Sequence, residues 1–320
     1  MLDKLESIPG FRTTLSPEEF RSAIDANGVA IAGQSEALVP ADRLIYALRD
    51  ATGTVPSLSL IASSIMSKKL AEDIDGLVLD VQVGAGAFMK TIADAEELAE
   101  TMVGIGAAHG TSTVAVFTAM DQPLGHEVGN ASEIDESIDV LEGHGPADLT
   151  EVVFRIGGEM LLTGGIATDL DGARTLMESA VASGKALERF AAMIEYQGGN
   201  PAVLEDRSLL PRASHVYHAK ATRSGYIVGC DAPDIGVAGV RLGGGRESKE
   251  DDVDPGVGIT IVKKLGHEVA DGDLLAEVRY TDPARLAAAT PLIDGAWRIG
   301  DEPPAPRPMT LGEIRPNTST

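Results

Sequence analysis

The chain has 320 residues, of which 43% are hydrophobic and 23% are charged, values typical of a water-soluble protein long enough for two domains. Its 49 acidic and 26 basic side chains give a net charge of −23 with no basic run, which argues against nucleic acid and membrane surfaces as partners. The single cysteine, Cys230, excludes an internal disulfide and indicates a cytoplasmic compartment. No stretch reaches the ~20 apolar residues of a membrane helix.

The first informative elements are two short predicted helices in residues 46–70, which a breaker separates. Tyr46 and Arg49 are three residues apart, and Ser64 and Lys68 are four apart, so each pair projects from one side of its helix. This spacing predicts a small polar patch with two fixed positive charges. The residues alone favour the ordinary alternative, in which both cations are solvated and interact with helix dipoles.

Helices then alternate with short apolar runs, which predicts an α/β fold with helices covering a mixed, largely parallel sheet. Buried strands are predicted at 77–84 and 113–120, with a helix near 92–109 between them. Further helices are predicted at 131–142, 149–162, 170–183 and 186–197, and the last two are ended by a Ser-Gly pair and a Gly-Gly pair.

After about Arg212, closely spaced strands with turn residues predict a β-rich C-terminal domain. The segment GHEVADGDLLAEV at 266–278 resembles the hairpin of biotinyl or lipoyl carrier domains, but its turn has no lysine to modify, so covalent carriage is not expected. Residues 301–320 are proline-rich and polar and are predicted to form a flexible tail. The six histidines show no metal-ligand spacing, so no zinc site is predicted.

Five strings in a fixed order carry a resemblance to the pyrimidine nucleoside phosphorylase family, above all to its thymidine phosphorylases. They are LDKLESIPGFRT at 2–13, YALRDATGTVPS at 46–57, SIMSKKLAEDIDGLVLDVQVGAGAFM at 64–89, MDQPLGHEVGNASEI at 120–134 and GGGR at 243–246. The resemblance extends from Leu2 to about Arg298.

The resemblance implies a pentosyltransferase of pyrimidine salvage and catabolism, which converts thymidine and phosphate into thymine and 2-deoxyribose 1-phosphate. It implies a pyrimidine deoxynucleoside and phosphate as substrates, without a redox or transition-metal cofactor. Arg49 and Lys68 would act in catalysis by stabilising negative charge on the departing base. The positions that match base-binding and pocket-lining residues of the family are Tyr46, Arg49, Ser64, Ile65, Lys68 and Phe88.

The chain departs from the family pattern at three points. The family segment before Leu2, which carries most of the small helical domain and the phosphate-binding loop, has no match. Met1 stands where the family has a phosphate-binding threonine, and Gln82 stands where it has a lysine. The chain is therefore expected to be truncated, without a retained phosphate site, and weakly active or inactive alone. The alternative is a non-catalytic remnant that binds a pyrimidine or a partner chain.

The resemblance also implies a potassium ion held by main-chain oxygens of Leu124 and Glu127 and by the carboxylate of Glu136. From the residues alone, Glu136 is predicted to be an exposed helical glutamate. The family forms homodimers through its small helical domain. By resemblance the α/β phosphorylase domain begins at residues 1–33 and resumes at 73–211, with a remnant of the small helical domain at 39–72 between the two parts. A barrel-sandwich-like β-rich domain follows at 212–300, and the flexible tail covers 301–320.

Overall fold

The computed structural model of the protein describes residues 1–33, 39–42, 45, 57–248 and 251–316. The chain divides into two compact units. The first unit comprises Met1–Gly33, Met120–Thr150 and Ala180–Arg307, and the second comprises Gln34–Ala119, Glu151–Ser179 and Pro308–Thr320. In these described ranges, no helix combines the length and apolar character needed to cross a membrane.

The described helices are numbered in chain order. They are α1 (Leu2–Glu6), α2 (Pro17–Asn27), α3 (Leu58–Ala71), α4 (Ile92–Ala108), α5 (Ala131–Glu142), α6 (Ala147–Thr163), α7 (Leu170–Ala182), α8 (Lys185–Tyr196), α9 (Ala232–Gly239) and α10 (Pro283–Gly295). The strands are β1 (Gly76–Val83), β2 (Ser112–Ala119), β3 (Glu127–Gly129), β4 (His215–Lys220), β5 (Gly225–Cys230), β6 (Gly258–Ile261), β7 (Glu268–Val269), β8 (Leu274–Tyr280), β9 (Trp297–Gly300) and β10 (Thr310–Ile314).

The second unit contains a mixed sheet with the strand order β1-β2-β10. Strands β1 and β2 are parallel, and α4 is the crossover helix that a parallel pair requires. Helix α3 packs against α4, and the two helices share a core with the sheet. Met66, Met102 and Phe117 are almost completely buried there. The predicted α/β class is confirmed, and the predicted strands and helices of this region differ from the observed bounds by only one or two residues.

Strand β10 lies in the segment predicted to be a flexible tail, and here the structure differs from the expectation. Residues Thr310–Ile314 pair antiparallel with β2, and Leu311 and Ile314 pack against the core of the second unit. Glu313 and Arg315 form ion pairs with Arg155 and Glu159 of α6. This short strand was not predicted for two reasons. It follows the proline-rich segment 303–308, and the residues that stabilise it are distant in sequence.

The first unit contains two antiparallel sheets, with the orders β3-β6-β8-β4 and β7-β5-β9. Side chains of both sheets, α9 and α10 form one apolar core around Ile227, Ile259 and Ile293, each 0% exposed. Except for β3, these strands lie in the segment predicted to be β-rich, and the presence of antiparallel sheets there agrees with the predicted fold class. A separate core joins α1, α5 and α8 through Leu5, Ile138 and Ile194.

Candidate functional site

Helix α3 places two of the predicted site residues on one side of a well-packed element. Ala62 and Met66 face the core of the second unit and fix the rotation of the helix. Ser64 and Lys68 lie one turn apart next to this buried stripe, and Ser64 is only 7% exposed. Lys68 stands in the last helical turn, where the helix dipole favours a cation.

The side chains of Ser64 and Lys68 are in direct contact. Lys68 Nζ donates to Ser64 Oγ at 2.9 Å and to the main-chain oxygen of Ser64 at 3.0 Å. It also donates to the Asp42 carboxylate at 2.5 Å. The predicted pair is therefore brought together, and Asp42 joins it. Sequence reasoning missed Asp42, because no periodic pattern links it to a helix that begins sixteen residues later.

The connection between β1 and α4 positions the predicted aromatic residue. Gly84 has φ +142°, and its N–H donates to the Met89 carbonyl at 3.0 Å, which closes a tight loop. Lys90 Nζ donates to the Ala85 carbonyl at 2.8 Å and holds the same loop. As a result, Met89 is buried while the ring of Phe88 is 57% exposed. An exposed aromatic ring on a braced loop is available to stack on a flat ligand.

Ser64, Ile65 and Phe88 line one cavity of about 360 Å³, which lies wholly within the second unit. Its volume falls in the range of roughly 300–1,000 Å³ common for small-molecule sites. The walls are mainly apolar and come from α3, β1, the Phe88 loop and α4. The full set of lining residues is Ile61, Ser64, Ile65, Leu79, Asp80, Val81, Gln82, Phe88, Met89, Leu98 and Met102. Tyr46 and Arg49 lie outside the described residues.

Asp80 and Gln82 add polar character to the β1 side of this cavity. Thr118 Oγ1 donates to Asp80 Oδ1 at 2.6 Å. Desolvation raises the pKa of Asp80 above its usual value, while hydrogen bonds from Thr118 and Gln82 act in the opposite direction. Gln82 is the position where the resemblance implies lysine, so this wall carries a neutral amide next to Asp80.

The residues predicted to hold a cation lie in the first unit. Glu136 is 7% exposed, and its Oε1 accepts from the backbone N–H groups of His126 at 2.6 Å and Glu127 at 3.3 Å. The prediction of an exposed glutamate is wrong, because the carboxylate turns inward to bind these amides. A Cβ at Gly125, where φ is +69°, would lie 2.3 Å from Glu136 Oε2. The segment 124–127 therefore wraps closely around the carboxylate.

A buried ion pair supports the same segment. Lys264, 6% exposed, donates from Nζ to the Gly125 carbonyl at 2.6 Å and to the Asp148 carboxylate. Sequence reasoning did not find Lys264 or Asp148, since both are ordinary charged residues until the fold buries them.

The carboxyl of Glu127 in the same segment is also sheltered. Burial raises the pKa of Glu127 to about 7, and the hydrogen bond from Thr260 Oγ1 opposes this shift.

The last predicted position to be located is Met1, and the last question is whether the described residues form a metal-binding cluster. Met1, placed by resemblance where a threonine binds phosphate, is 78% exposed at the start of α1. Among the residues that the structure describes, no group of three or more His, Cys, Asp or Glu side chains is arranged to hold a metal ion.

Comparison with known proteins gives matches over most of the chain. Residues 1–187 match the family described as "Glycosyl transferase family, a/b domain", and residues 226–300 match "Pyrimidine nucleoside phosphorylase C-terminal domain". The chain is 49% identical over 277 residues to a pyrimidine-nucleoside phosphorylase of Staphylococcus aureus (strain bovine RF122 / ET3-1) and 49% identical to one of Staphylococcus haemolyticus (strain JCSC1435). Each alignment covers 87% of this chain and 64% of the relative, so the chain spans less than two thirds of the length of these relatives.

Proposed function

We propose that this chain, which belongs to the glycosyl transferase family with the a/b domain, provides the base-holding part of a pyrimidine nucleoside phosphorylase. The observation that carries the proposal is the Ser64–Lys68 pair, joined at 2.9 Å, with Ser64 and the exposed ring of Phe88 lining the same cavity. The reaction is the conversion of thymidine and phosphate into thymine and 2-deoxyribose 1-phosphate. The curated relatives are named pyrimidine-nucleoside phosphorylases.

The cavity suits a pyrimidine ring. Ile61, Ile65 and Phe88 offer apolar surface to the flat faces of a base, and Ser64 offers a hydrogen bond to its polar edge. When the glycosidic bond breaks, negative charge develops on the departing base. The ammonium of Lys68, together with the guanidinium of Arg49 by resemblance, would stabilise this charge more in the transition state than in the ground state.

The deciding experiment measures base binding and turnover separately. Isothermal titration with thymine, thymidine and uridine tests binding by the 320-residue chain, and chromatography of thymidine with phosphate tests turnover. We expect Ser64→Ala and Lys68→Met each to weaken thymine binding by about ten-fold or more, since each removes a polar contact in a sheltered site. Lys69→Met is the matched control, because Lys69 pairs with Glu72 at the surface.

The outcomes separate the proposal from its alternative. Phosphate-dependent release of thymine supports the phosphorylase assignment. Binding of thymine without release agrees with a chain that provides the base-holding part of the enzyme, and it agrees equally with the non-catalytic pyrimidine-binding alternative. Absence of binding for all three ligands, by a chain with a cooperative unfolding transition, refutes both.

A potassium ion in the first unit is part of the same proposal. The main-chain oxygens of Leu124 and Glu127 and the carboxylate of Glu136 are hard oxygen ligands, and burial of Glu136 beside segment 124–127 fits a stabilising cation. When bound, the ion would brace this segment and neutralise the buried carboxylate. The test compares the melting temperature in KCl and in NaCl at equal ionic strength. A higher value in KCl that disappears in Glu136→Gln supports the potassium site, and equal values in the two salts refute it.

We also propose that the protein works in the cytoplasm as a homodimer, with domains at residues 1–33, 39–72, 73–211 and 212–300 as the resemblance implies. The thiol of Cys230 is buried, and burial raises its pKa to about 12, which suits a structural rather than a reactive cysteine. The charge of −23 favours small-molecule over nucleic-acid partners. Sedimentation equilibrium tests the dimer, and a single species of about 33.3 kDa at micromolar concentration would refute it.

A further inference from the structure

The ammonium group of Lys68 is fully engaged within the protein. A lysine ammonium has three N–H donors. In Lys68 they point to the Asp42 carboxylate at 2.5 Å, to Ser64 Oγ at 2.9 Å and to the Ser64 main-chain oxygen at 3.0 Å. A predicted base-binding cation is thus held at one place before any ligand arrives.

Asp42 is the charged member of this arrangement and is sheltered from water. Its side chain is 11% exposed, and that of Lys68 is 29% exposed. By contrast, the side chains of Lys69 on the same helix and of its partner Glu72 at the helix C-cap are 40% and 38% exposed. Screening by water weakens the exposed pair, so the Lys68–Asp42 pair is the one able to define a side-chain position.

The contact with Lys68 decides how Ser64 can bond to a ligand. A hydroxyl has one O–H donor and two lone pairs. Lys68 already donates to one lone pair of Ser64 Oγ. Within the described residues, Ser64 Oγ donates to no acceptor, so its proton remains for an acceptor in the adjoining cavity.

One of the three lysine bonds can also be exchanged at small cost. The main-chain oxygen of Ser64 accepts from Ser67 Oγ at 3.1 Å as well as from Lys68. If a ligand oxygen takes the third N–H of Lys68, this carbonyl keeps a partner. The bonds to Asp42 and Ser64 Oγ then stay in place while the ligand is bound.

We propose that Asp42 is a positioning residue of the pyrimidine pocket, which holds Lys68 against Ser64 and thereby makes Ser64 a hydrogen-bond donor to an acceptor atom on the edge of the base. The inference rests on the proposed function and adds to it the origin of the Ser64 geometry. The acceptor is a ring carbonyl oxygen or, in the departing base, a deprotonated ring nitrogen. Asp42 touches neither the base nor the reacting atoms.

The first test is a double-mutant cycle read out by thymine binding. Asp42→Asn should weaken thymine affinity by about ten-fold or more, because the charge that orients Lys68 is lost. Asp42→Glu should restore part of the affinity. The control Glu72→Gln should stay within about two-fold of the wild type, as expected for an exposed pair. Circular dichroism confirms that each variant is folded.

The cycle distinguishes positioning from a structural role. If Asp42 acts through Ser64, then Ser64→Ala should cost little additional affinity in the Asp42→Asn background, and the two effects should be far from additive. Additive losses, or unchanged affinity in a folded Asp42→Asn variant, would overturn the inference while leaving the proposed function intact.

A second test needs no ligand. Acetic anhydride labelling followed by mass spectrometry should modify Lys68 more slowly than Lys69, and Asp42→Asn should remove this difference. Equal rates in the wild type would overturn the Lys68–Asp42 pairing whatever the function. Slow labelling of Lys68 in a folded wild type that binds no thymine would refute the proposed function, and the donor role of Ser64 would be refuted with it.

Discussion

Removal of the buried Lys264 ammonium should destabilise the first unit strongly. The side chains of Lys264 and Asp148 are 8% and 19% exposed, and Lys264 Nζ also binds the Gly125 carbonyl at 2.6 Å. Lys264→Met leaves the Asp148 carboxylate without its cation in a sheltered position. Breaking such a pair from one side costs about 3–5 kcal/mol. We expect a loss near the lower end, about 3 kcal/mol, since Asp148 Oδ1 keeps a bond from the Leu149 N–H.

The double variant Lys264→Met/Asp148→Leu tests whether the unpaired Asp148 carboxylate causes this loss of stability. With both charges gone, no unpaired ion remains, and a residual loss of about 1 kcal/mol comes from the Gly125 carbonyl and the Leu149 N–H, which have each lost a partner. The double variant should therefore be more stable than the single variant by about 2 kcal/mol. Arg223→Met, which breaks the exposed pair with Asp301, is the control and should change stability by less than about 1 kcal/mol.

Urea unfolding followed by tryptophan fluorescence is the appropriate assay. Trp297 is the single tryptophan, it is 8% exposed, and its Nε1 donates to the Lys263 carbonyl at 3.0 Å, next to Lys264. Its emission therefore reports on the unit that carries the substitution. A double variant as unstable as Lys264→Met, or a single-variant loss below about 1 kcal/mol, would refute the assignment of a sheltered, charge-compensated pair.

Three further predictions concern other parts of the chain. Glu159 is 0% exposed and forms ion pairs with Arg155 and Arg315. Glu159→Gln should therefore lower the free energy of unfolding by about 3 kcal/mol in urea and speed hydrogen exchange in β10. Unchanged exchange would contradict the role of Glu159 in anchoring this strand. Phe88→Ala should lower thymine affinity by about two- to ten-fold by calorimetry without loss of stability, since the ring is exposed; equal affinity would remove Phe88 from the site. Hydrogen bonds from the backbone and side chain of Ser16 lower the pKa of Glu19, so this contact stabilises α2 above the unfolded pKa of 4.5 and is lost as pH falls through the lower folded value. Carboxyl NMR should show a Glu19 midpoint below 4.5 that rises in Ser16→Ala, and an unchanged midpoint would argue against the capping box.

Within the second unit, β1, β2, α3 and α4 were predictable because local signals and burial agree there. Strand β2 is a mainly apolar run, β1 is apolar except for Asp80 and Gln82, and the apolar residues of α3 recur at helical spacing. Since α3 is a regular helix, the four-residue spacing of Ser64 and Lys68 was sufficient to predict their contact. Spacing did not predict the purpose of the contact, which came only from the resemblance.

The errors arose where a second layer of structure covers a face that appears exposed in sequence. Ile134 and Ile138 mark the buried side of α5, and Glu136 lies on the other side, where an amphipathic pattern predicts solvent. Strand β3 packs on α5, and the amides of His126 and Glu127 bind the Glu136 carboxylate. Asp42 and Lys264 were missed for the same physical reason, because their partners lie far away in sequence.

The described walls of the proposed pyrimidine pocket come from the second unit alone. Helix α3 and the Phe88 loop pack against the same core, in which Met66 and Met89 are 1% and 5% exposed. Their polar and aromatic groups are thus held by a common interior, close-packed and resistant to small displacements. Lys68 and Ser64 are further connected to Asp42 within that unit. A base-binding site preorganised in this way requires little ordering on binding, so base affinity should survive changes in the first unit that leave the second unit folded.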